Sequence, residues 1–337
     1  MTVLRYVLLF IFAFQVTAQR QDFAHIDFGN ADRLALKHKD EELFNLPELA
    51  FKLTEGLETD VERFRAIYYW VCTNVGNDYS LYARNRNKRY RYRDKSTQLE
   101  QWNKRFNRIL FRKLLKNKRT ICTGYAYLVS ELSSMINIEC QIVLGYGRTS
   151  TTNMDKLVGP NHSWNAVKLN GQWYLCDPTW ASGTPTGPNQ EFVFTYNDGF
   201  FLADPQLFAV NHYPLEPEWS LLGEAAPSYD SFLKAPVLYG KAYTHLAKHD
   251  GPEAMHHDIK RGDTVQFGYT TQQAFNADDF SLKLDNGRTM MDRRPEFTTQ
   301  DDRSLAFIYA FNSTGFYDVH VYYKTDLLAT YTVKVRK

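Results

Sequence analysis

The sequence predicts an α+β fold: a core of helices and antiparallel strands followed by an all-β region. Three observations carry this. Apolar side chains recur at helical spacing between residues 59 and 136, residues 138–179 alternate as strands around Asn170-Gly171, and from Thr264 onward only short strands separated by turn residues remain. With 337 residues, 44% of them hydrophobic, the chain is long enough for about two domains, each with its own core. Lys and Arg number 40 against 38 Asp and Glu, a net charge of +2, so no global field favours nucleic acid and none is expected as a partner.

Residues 1–18 carry one charge, Arg5, an apolar run from Tyr6 to Val16, and the small-residue pattern Val16-Thr17-Ala18 before Gln19. The run is shorter than the roughly twenty residues that span a bilayer, so it reads as a signal peptide rather than an anchor. An exported protein, secreted or periplasmic, is expected, with no transmembrane segment after cleavage. Thr59-Asp60-Val61-Glu62 is a capping box; with Phe64, Ile67, Tyr68 and Val71 behind it, a helix is expected over about residues 60–75.

Residues 84–119 hold fifteen basic side chains against two acidic ones, a local charge of +13 that leaves −11 for the rest. In the first half, Arg alternates with Tyr90 and Tyr92, which reads as an exposed loop. Trp102, Phe106, Ile109 and Leu110 then mark a basic amphipathic helix. This insertion is either a solvated charged face or a surface that captures an anionic envelope or an acidic substrate.

Cys122, Tyr125, Ala126, Val129, Leu132 and Ile136 share one helical stripe that starts at Cys122 and stops near Asn137. Ile138, Cys140, Ile142 and Leu144 alternate as a strand. Asn170-Gly171 suits a type I′ turn, which sets a register pairing Leu169 with Gln172, Trp164 with Asp177 and His162 with Thr179. Strands are expected at 264–270, 280–284, 305–311, 317–323 and 328–335, after a Pro-containing linker at 214–227. The resulting division is a core over residues 19–235 and an Ig-like β-sandwich over 236–337.

That register puts His162, Trp164, Asp177 and Thr179 on one face of the sheet and Cys176 on the other. His162 and Asp177 are then diagonal neighbours, and a carboxylate on Nδ1 would leave Nε2 free to act as a base. On the pair alone, a surface histidine beside a solvated carboxylate is the favoured reading. Cys122 changes the balance, because a helix N-terminus favours the thiolate and offers N–H groups to an oxyanion. Gly124, in the first turn, is expected to let a substrate backbone approach. Cys72, Cys140 and Cys176 read as buried small hydrophobes. No CxxC or His-x3-His grouping occurs, so neither a metal nor a cofactor is expected.

Three blocks, Cys122-Thr123-Gly124-Tyr125-Ala126, His162-Ser163-Trp164 and Asp177-Pro178-Thr179-Trp180, resemble the transglutaminase-like superfamily in order and spacing. The segments Phe201-Leu202-Ala203-Asp204-Pro205 and His212-Tyr213-Pro214 are similar to its kyphoscoliosis-peptidase branch. The resemblance implies a papain-like core, with Cys122 as nucleophile, His162 as base, Asp177 as orienter, and Gly124, Trp164 and Trp180 supporting the cleft. It implies an enzyme acting on amide bonds of a protein or peptide substrate through a thioester, peptidase or amidase rather than crosslinking. Gln101 and Trp102 are candidates for an oxyanion-hole side chain. The alternative function is a non-catalytic envelope-binding or scaffold protein with an idle triad.

Overall fold

Three helices enter the core: α1 (Gly29–Lys37), α2 (Leu46–Thr54) and α3 (Asp60–Asn74). These come from a computed structural model that describes residues 19–154, 157, 159–187 and 190–337. The signal-peptide reading of residues 1–18 lies outside the described residues. The expected capping box starts α3: the Thr59 side chain accepts from the Glu62 amide, and the Glu62 carboxylate accepts from the Thr59 amide at 3.0 Å. Arg65 of α3, 5% exposed, ties distant segments together. It pairs with Asp32 of α1 at 2.6 Å and with Asp198, and its guanidinium lies 4.8 Å over the Phe201 ring. Arg20 reaches the same Asp198.

The basic insertion is a helical hairpin, α4 (Tyr79–Arg91) and α5 (Ser96–Asn117), closed by a parallel pair of two-residue strands, β1 (Gly76–Asn77) and β2 (Arg119–Thr120). The exposed loop expected over its first half is a helix instead. Asp78 caps α4 by accepting from the Leu81 amide at 2.9 Å, and Leu81 buries against Trp102, Phe106, Leu110 and Ile121. One apolar contact suffices on α4 because α5 supplies the rest of the stripe, which a run of Arg and Tyr conceals.

Helix α6 (Cys122–Ser134) packs on a four-stranded antiparallel sheet of order β5-β4-β3-β8, formed by β3 (Cys140–Gly147), β4 (His162–Leu169), β5 (Gln172–Cys176) and, beyond α7 (Pro178–Ser182), the hairpin β6 (Gly183–Thr186) and β7 (Glu191–Phe194), and α8 (Pro205–Asn211), the edge strand β8 (His212–Pro214). Asn170 and Gly171 take φ of +50° and +81°, and the expected register holds from Leu169–Gln172 to Asn165–Cys176. There it ends. Asp177 leaves the ladder to cap α7, so the pairs Trp164–Asp177 and His162–Thr179 do not form, and Thr179 is helical.

The strand over β3 also faces the other way from the expectation. Val143, Gly145 and Gly147 are buried, whereas Ile142 is 38% and Leu144 52% exposed. The two glycines decide the face. A Cβ on Gly145 would lie 2.5 Å from the Trp164 ring, and one on Gly147 would lie 2.9 Å from the His162 ring, so only the glycine side can sit against those rings.

Beyond β8 the chain is packed rather than free: α9 (Tyr229–Lys234), β9 (Val237–Leu238) and α10 (Gly240–His245) lie against the core. Arg148 donates to the Pro236 carbonyl at 2.7 Å, and the Asn211 amide donates to the Leu238 carbonyl at 3.1 Å. The C-terminal region consists of β10 (Leu246–Gly251), β11 (His256–Lys260), β12 (Thr264–Thr271), β13 (Phe280–Asp285), β14 (Met290–Arg293), β15 (Glu296–Gln300), β16 (Ser304–Ala310), β17 (Gly315–Tyr323) and β18 (Asp326–Arg336). One sheet runs β10-β12-β16-β15 and the other β11-β18-β17-β13-β14, with β9 added on β18. All pairs are antiparallel except β11–β18. Phe267 of β12 lies 5.1 Å from Tyr331 of β18, so the sheets face one another across an apolar layer. Most of the buried apolar side chains form one continuous cluster that runs from Phe23 to Val335, apart from the hairpin cluster around Trp102 and a small one of Ala31, Leu57 and Ala66.

Candidate active site

The site is built where α6, β4 and the start of α7 meet. Ile121, extended at the N-cap, supplies no capping side chain; its carbonyl accepts from the Gly124 amide at 2.8 Å, so the first turn of α6 leaves the N–H groups of Cys122 and Thr123 at the site. Gly124 opens no space for a substrate. Its absent Cβ would lie 1.9 Å from the Thr120 hydroxyl, so this glycine lets β2 pack directly on α6.

His162, the first residue of β4, lies over Gly147 and stacks on Trp180, with ring centroids 4.9 Å apart and planes 20° from parallel. The ring is reversed from the expectation: Nε2, not Nδ1, lies 2.7 Å from Asp177 Oδ2. By capping α7, Asp177 is carried past the ladder position opposite Trp164 and meets the far ring nitrogen. That leaves Nδ1 as the ring nitrogen not held by Asp177, and Cys122 and His162 are close enough to shift each other's titration. The other carboxylate oxygen, Oδ1, accepts from the amides of Thr179 at 2.8 Å and Trp180 at 3.0 Å.

The electrostatics follow from these contacts. Burial raises the Cys122 thiol, but the hydrogen bond and charge of His162 bring it below its ordinary value. Burial disfavours the charged His162 ring, yet Asp177 and the thiol together push it up to about 10. Asp177, fully buried, is held well below the usual carboxylate range because His162, and after it His212, outweigh its desolvation. Each group thus favours the charged form of the other, which shifts the pair toward thiolate and imidazolium. The other thiols behave oppositely: burial pushes Cys140 up to about 12 and raises Cys72 and Cys176 well above the ordinary thiol range. All four cysteines are free.

The supporting aromatics divide. Trp180 lines the cleft, whereas Trp164 is 1% exposed and sits beneath it, 5.2 Å from the His212 ring and 5.8 Å from the Phe208 ring. Trp102 is buried in the hairpin, donating to Asn85 Oδ1 at 3.0 Å, and Gln101 is exposed on α5; neither lines the cleft. The residue missed from the sequence is His212, whose Nε2 lies 3.0 Å from the same Asp177 Oδ2. Its only signal was the His212-Tyr213-Pro214 block.

The ligand atoms of His162, Asp177 and His212 lie within 4.8 Å of one another. Both rings point Nε2 at one carboxylate oxygen at hydrogen-bond distances, so these atoms serve each other rather than converge on a point about 2 Å from each, as a metal requires.

Cys122 and His162 lie in a cleft of about 1090 Å³. Tyr79, Tyr82, Arg86 and Tyr90 of the basic hairpin form one wall, residues 149–153 another, and Val237 to Gly240 close the end nearest the C-terminal sheets. The floor thus combines a helix N-terminus, a lowered thiol and an oriented imidazole.

The sequence model of the transglutaminase-like superfamily matches residues 47–178, a span that includes Cys122, His162 and Asp177 and stops short of His212. The chain carries a transglutaminase-like domain. It is 32% identical over 179 residues to kyphoscoliosis peptidase of Homo sapiens, covering 52% of this chain and 24% of that one. The Mus musculus protein of the same name is 31% identical over the same shares. Hillarin of Drosophila melanogaster is 25% identical over 210 residues, 58% of this chain and 23% of that one. These matches place the transglutaminase-like domain with the kyphoscoliosis-peptidase branch. The chain spans about a quarter of the length of these relatives.

Proposed function

We propose that the chain is an exported cysteine enzyme that cleaves amide bonds through a thioester on Cys122. The observation that supports this best is one thiol, among four, drawn below its ordinary value beside an imidazole that a buried carboxylate orients. The Cys122 thiolate attacks the substrate carbonyl carbon, and the N–H groups of the first turn of α6 face the oxygen that becomes negative. As the C–N bond breaks, the His162 imidazolium gives its Nδ1 proton to the departing amine. Water then attacks the thioester while His162 takes a proton back, releasing the acid and restoring the thiol. An amine in place of water would give transamidation by the same steps. Hydrolysis is the reading adopted, in keeping with the peptidase names of the relatives in Homo sapiens and Mus musculus. Export rests on residues 1–18, and capture of anionic or acidic partners on the +13 hairpin that forms one cleft wall.

Single-turnover acylation by a p-nitrophenyl ester, followed by intact mass, tests the reading. Wild-type protein should gain one acyl group on Cys122, and Cys122→Ala none while keeping its thermal melting temperature. Acylation on Cys72, Cys140 or Cys176, or survival of labelling in Cys122→Ala, would replace the enzyme with the idle-triad scaffold.

A further inference from the structure

His212 is a fully buried, titratable ring that the steps above do not use. Two acceptors face it: Asp177 Oδ2 is 3.0 Å from Nε2, and the Phe208 carbonyl is 3.1 Å from Nδ1. The ring cannot drift between them. It stacks on Phe208 at 3.7 Å and 11°, lies 4.3 Å from the Trp180 ring, and belongs to β8, where it pairs with Gly147 of β3.

We propose that His212 is a positioning residue for this chemistry: by donating a second imidazole N–H to Asp177 Oδ2, it divides the charge of that oxygen between two rings and sets how tightly His162 holds its proton. The proposal rests on the assignment of Cys122, His162 and Asp177 above. Holding the carboxylate in place is already the work of the Thr179 and Trp180 amides on Oδ1. What His212 adds is a competing donor on the oxygen that serves His162, and a donor to a carboxylate weakens its attraction for any other partner.

Both acceptors would be satisfied only by a charged ring, but burial drives His212 to about 4, so near neutrality it carries one N–H. The carboxylate is the stronger acceptor and takes it. His212 thus modulates Asp177 without adding a charge. The titratable groups bearing on it are Asp177 and, more weakly, His162. Around it, β4 and α7 present Trp164 and Trp180, α8 presents Phe208, and β3 meets it through the Gly147 backbone. Arg148, next along β3, is directed to the carbonyls of Leu233 and Pro236; Tyr243 of α10 lies 3.4 Å from the Leu207 carbonyl. Asp230 and Lys234 of α9 are exposed and paired with each other.

Two replacements separate the donor from the ring. His212→Gln can keep an N–H at the Nε2 position, whereas His212→Asn places its amide near the Nδ1 position and leaves Asp177 with one imidazole. His162 is titrated by NMR in the protein between pH 7 and 11, alongside the pH profile of single-turnover acylation by a peptide p-nitroanilide, whose leaving amine needs the His162 proton. His212→Asn should raise the His162 titration and the alkaline limb of acylation together, by about half a unit to one unit, and His212→Gln should restore both. His212→Phe, which keeps an aromatic ring against Phe208, should behave like His212→Asn. A His162 titration that stays put or falls in a folded His212→Asn or His212→Phe protein would overturn the proposal. If wild-type protein shows no acylation, the enzyme reading fails, but the NMR titration still decides whether His212 divides the charge of Asp177.

Discussion

In β13 of the C-terminal region Phe280, Leu282 and Leu284 turn inward and alternate with half-buried neighbours, and β12 does the same with Val265, Phe267 and Tyr269. In β3 of the core, the apolar side chains Ile142 and Leu144 turn outward, and the inward positions go to Val143, Gly145 and Gly147. Both strands have a buried face, but they bury different things. The C-terminal sheets bury side chains against each other, whereas β3 makes room for the rings of Trp164 and His162 from the next strand. A strand whose face serves packing displays its orientation in its hydrophobic alternation. One that accommodates a site displays it in its glycines.

The largest consequence separates chemistry from stability. Gly147→Ala would bring a methyl group 2.9 Å from the His162 ring, pushing the imidazole off the line between Cys122 and Asp177. Acylation should fall about a hundredfold, since displacements near 1 Å cost that much in a positioned site. Leu282→Ala, in a wholly buried C-terminal position, should do the opposite: a loss of about 2–5 kcal/mol in urea unfolding, with the acylation rate of folded protein unchanged. Equal effects of both changes on acylation would mean that the two regions do not divide in this way.

Next in size is the pH response of the thiol. Iodoacetamide at pH 7 should modify Cys122 before the three thiols that burial raises, and His162→Ala should slow that reaction about tenfold or more, because burial would then oppose the thiolate with only the weaker influence of Ser163 against it. His162 is raised from its ordinary 6.5 to about 10, so its contribution to stability is complete below about pH 6.5 and is lost as pH rises through about 10. Acylation by a peptide p-nitroanilide, whose leaving amine needs a proton that p-nitrophenolate does not, should decline over the same alkaline interval. Unchanged acylation between pH 8 and 11 would remove His162 from that role.

Much of this was legible, and the gaps have physical causes. The Asn170-Gly171 turn fixed which residues of β4 and β5 face each other, so the proximity of His162 and Asp177 followed from counting. The ring orientation did not follow, because Asp177 abandons the ladder to cap α7. Its Asp177-Pro178 sequence, a capping residue followed by proline at the first helical position, was the available sign. Asp78 ahead of α4 was a similar cap, masked by the basic run behind it. His212 was hidden for a different reason: it reaches Asp177 through the pairing of β8 with β3, a contact 35 residues removed that no local pattern encodes.

A smaller effect concerns the hairpin, whose charge, unlike the buried charges of the site, is exposed. Arg89 of α4 donates to the Pro160 carbonyl at 3.1 Å and so braces the cleft loop, whereas Arg91, Arg105 and Arg108 are exposed. Reversing those three to Glu should weaken retention on heparin several-fold at low salt while sparing Cys122 acylation by a neutral ester. Retention that is unaffected by the substitutions, or by raising salt to about 0.5 M, would show that the hairpin does not capture anions.

The smallest expected effect probes the comparison at its origin. If Ile142 and Leu144 are surface residues of β3, exchanging each for Thr leaves a β-branched side chain on the strand and removes little buried area. Each substitution should change stability by no more than about 0.5 kcal/mol in urea unfolding. The same exchange at Val143, 1% exposed on the inward face, places a hydroxyl in the core without a partner and should cost about 1–3 kcal/mol. The inverse result, with Ile142→Thr and Leu144→Thr costly and Val143→Thr neutral, would restore the orientation that the hydrophobic alternation of residues 138–144 predicts. It would also remove Gly147 from beneath His162, and with it the reason for the loss expected in Gly147→Ala.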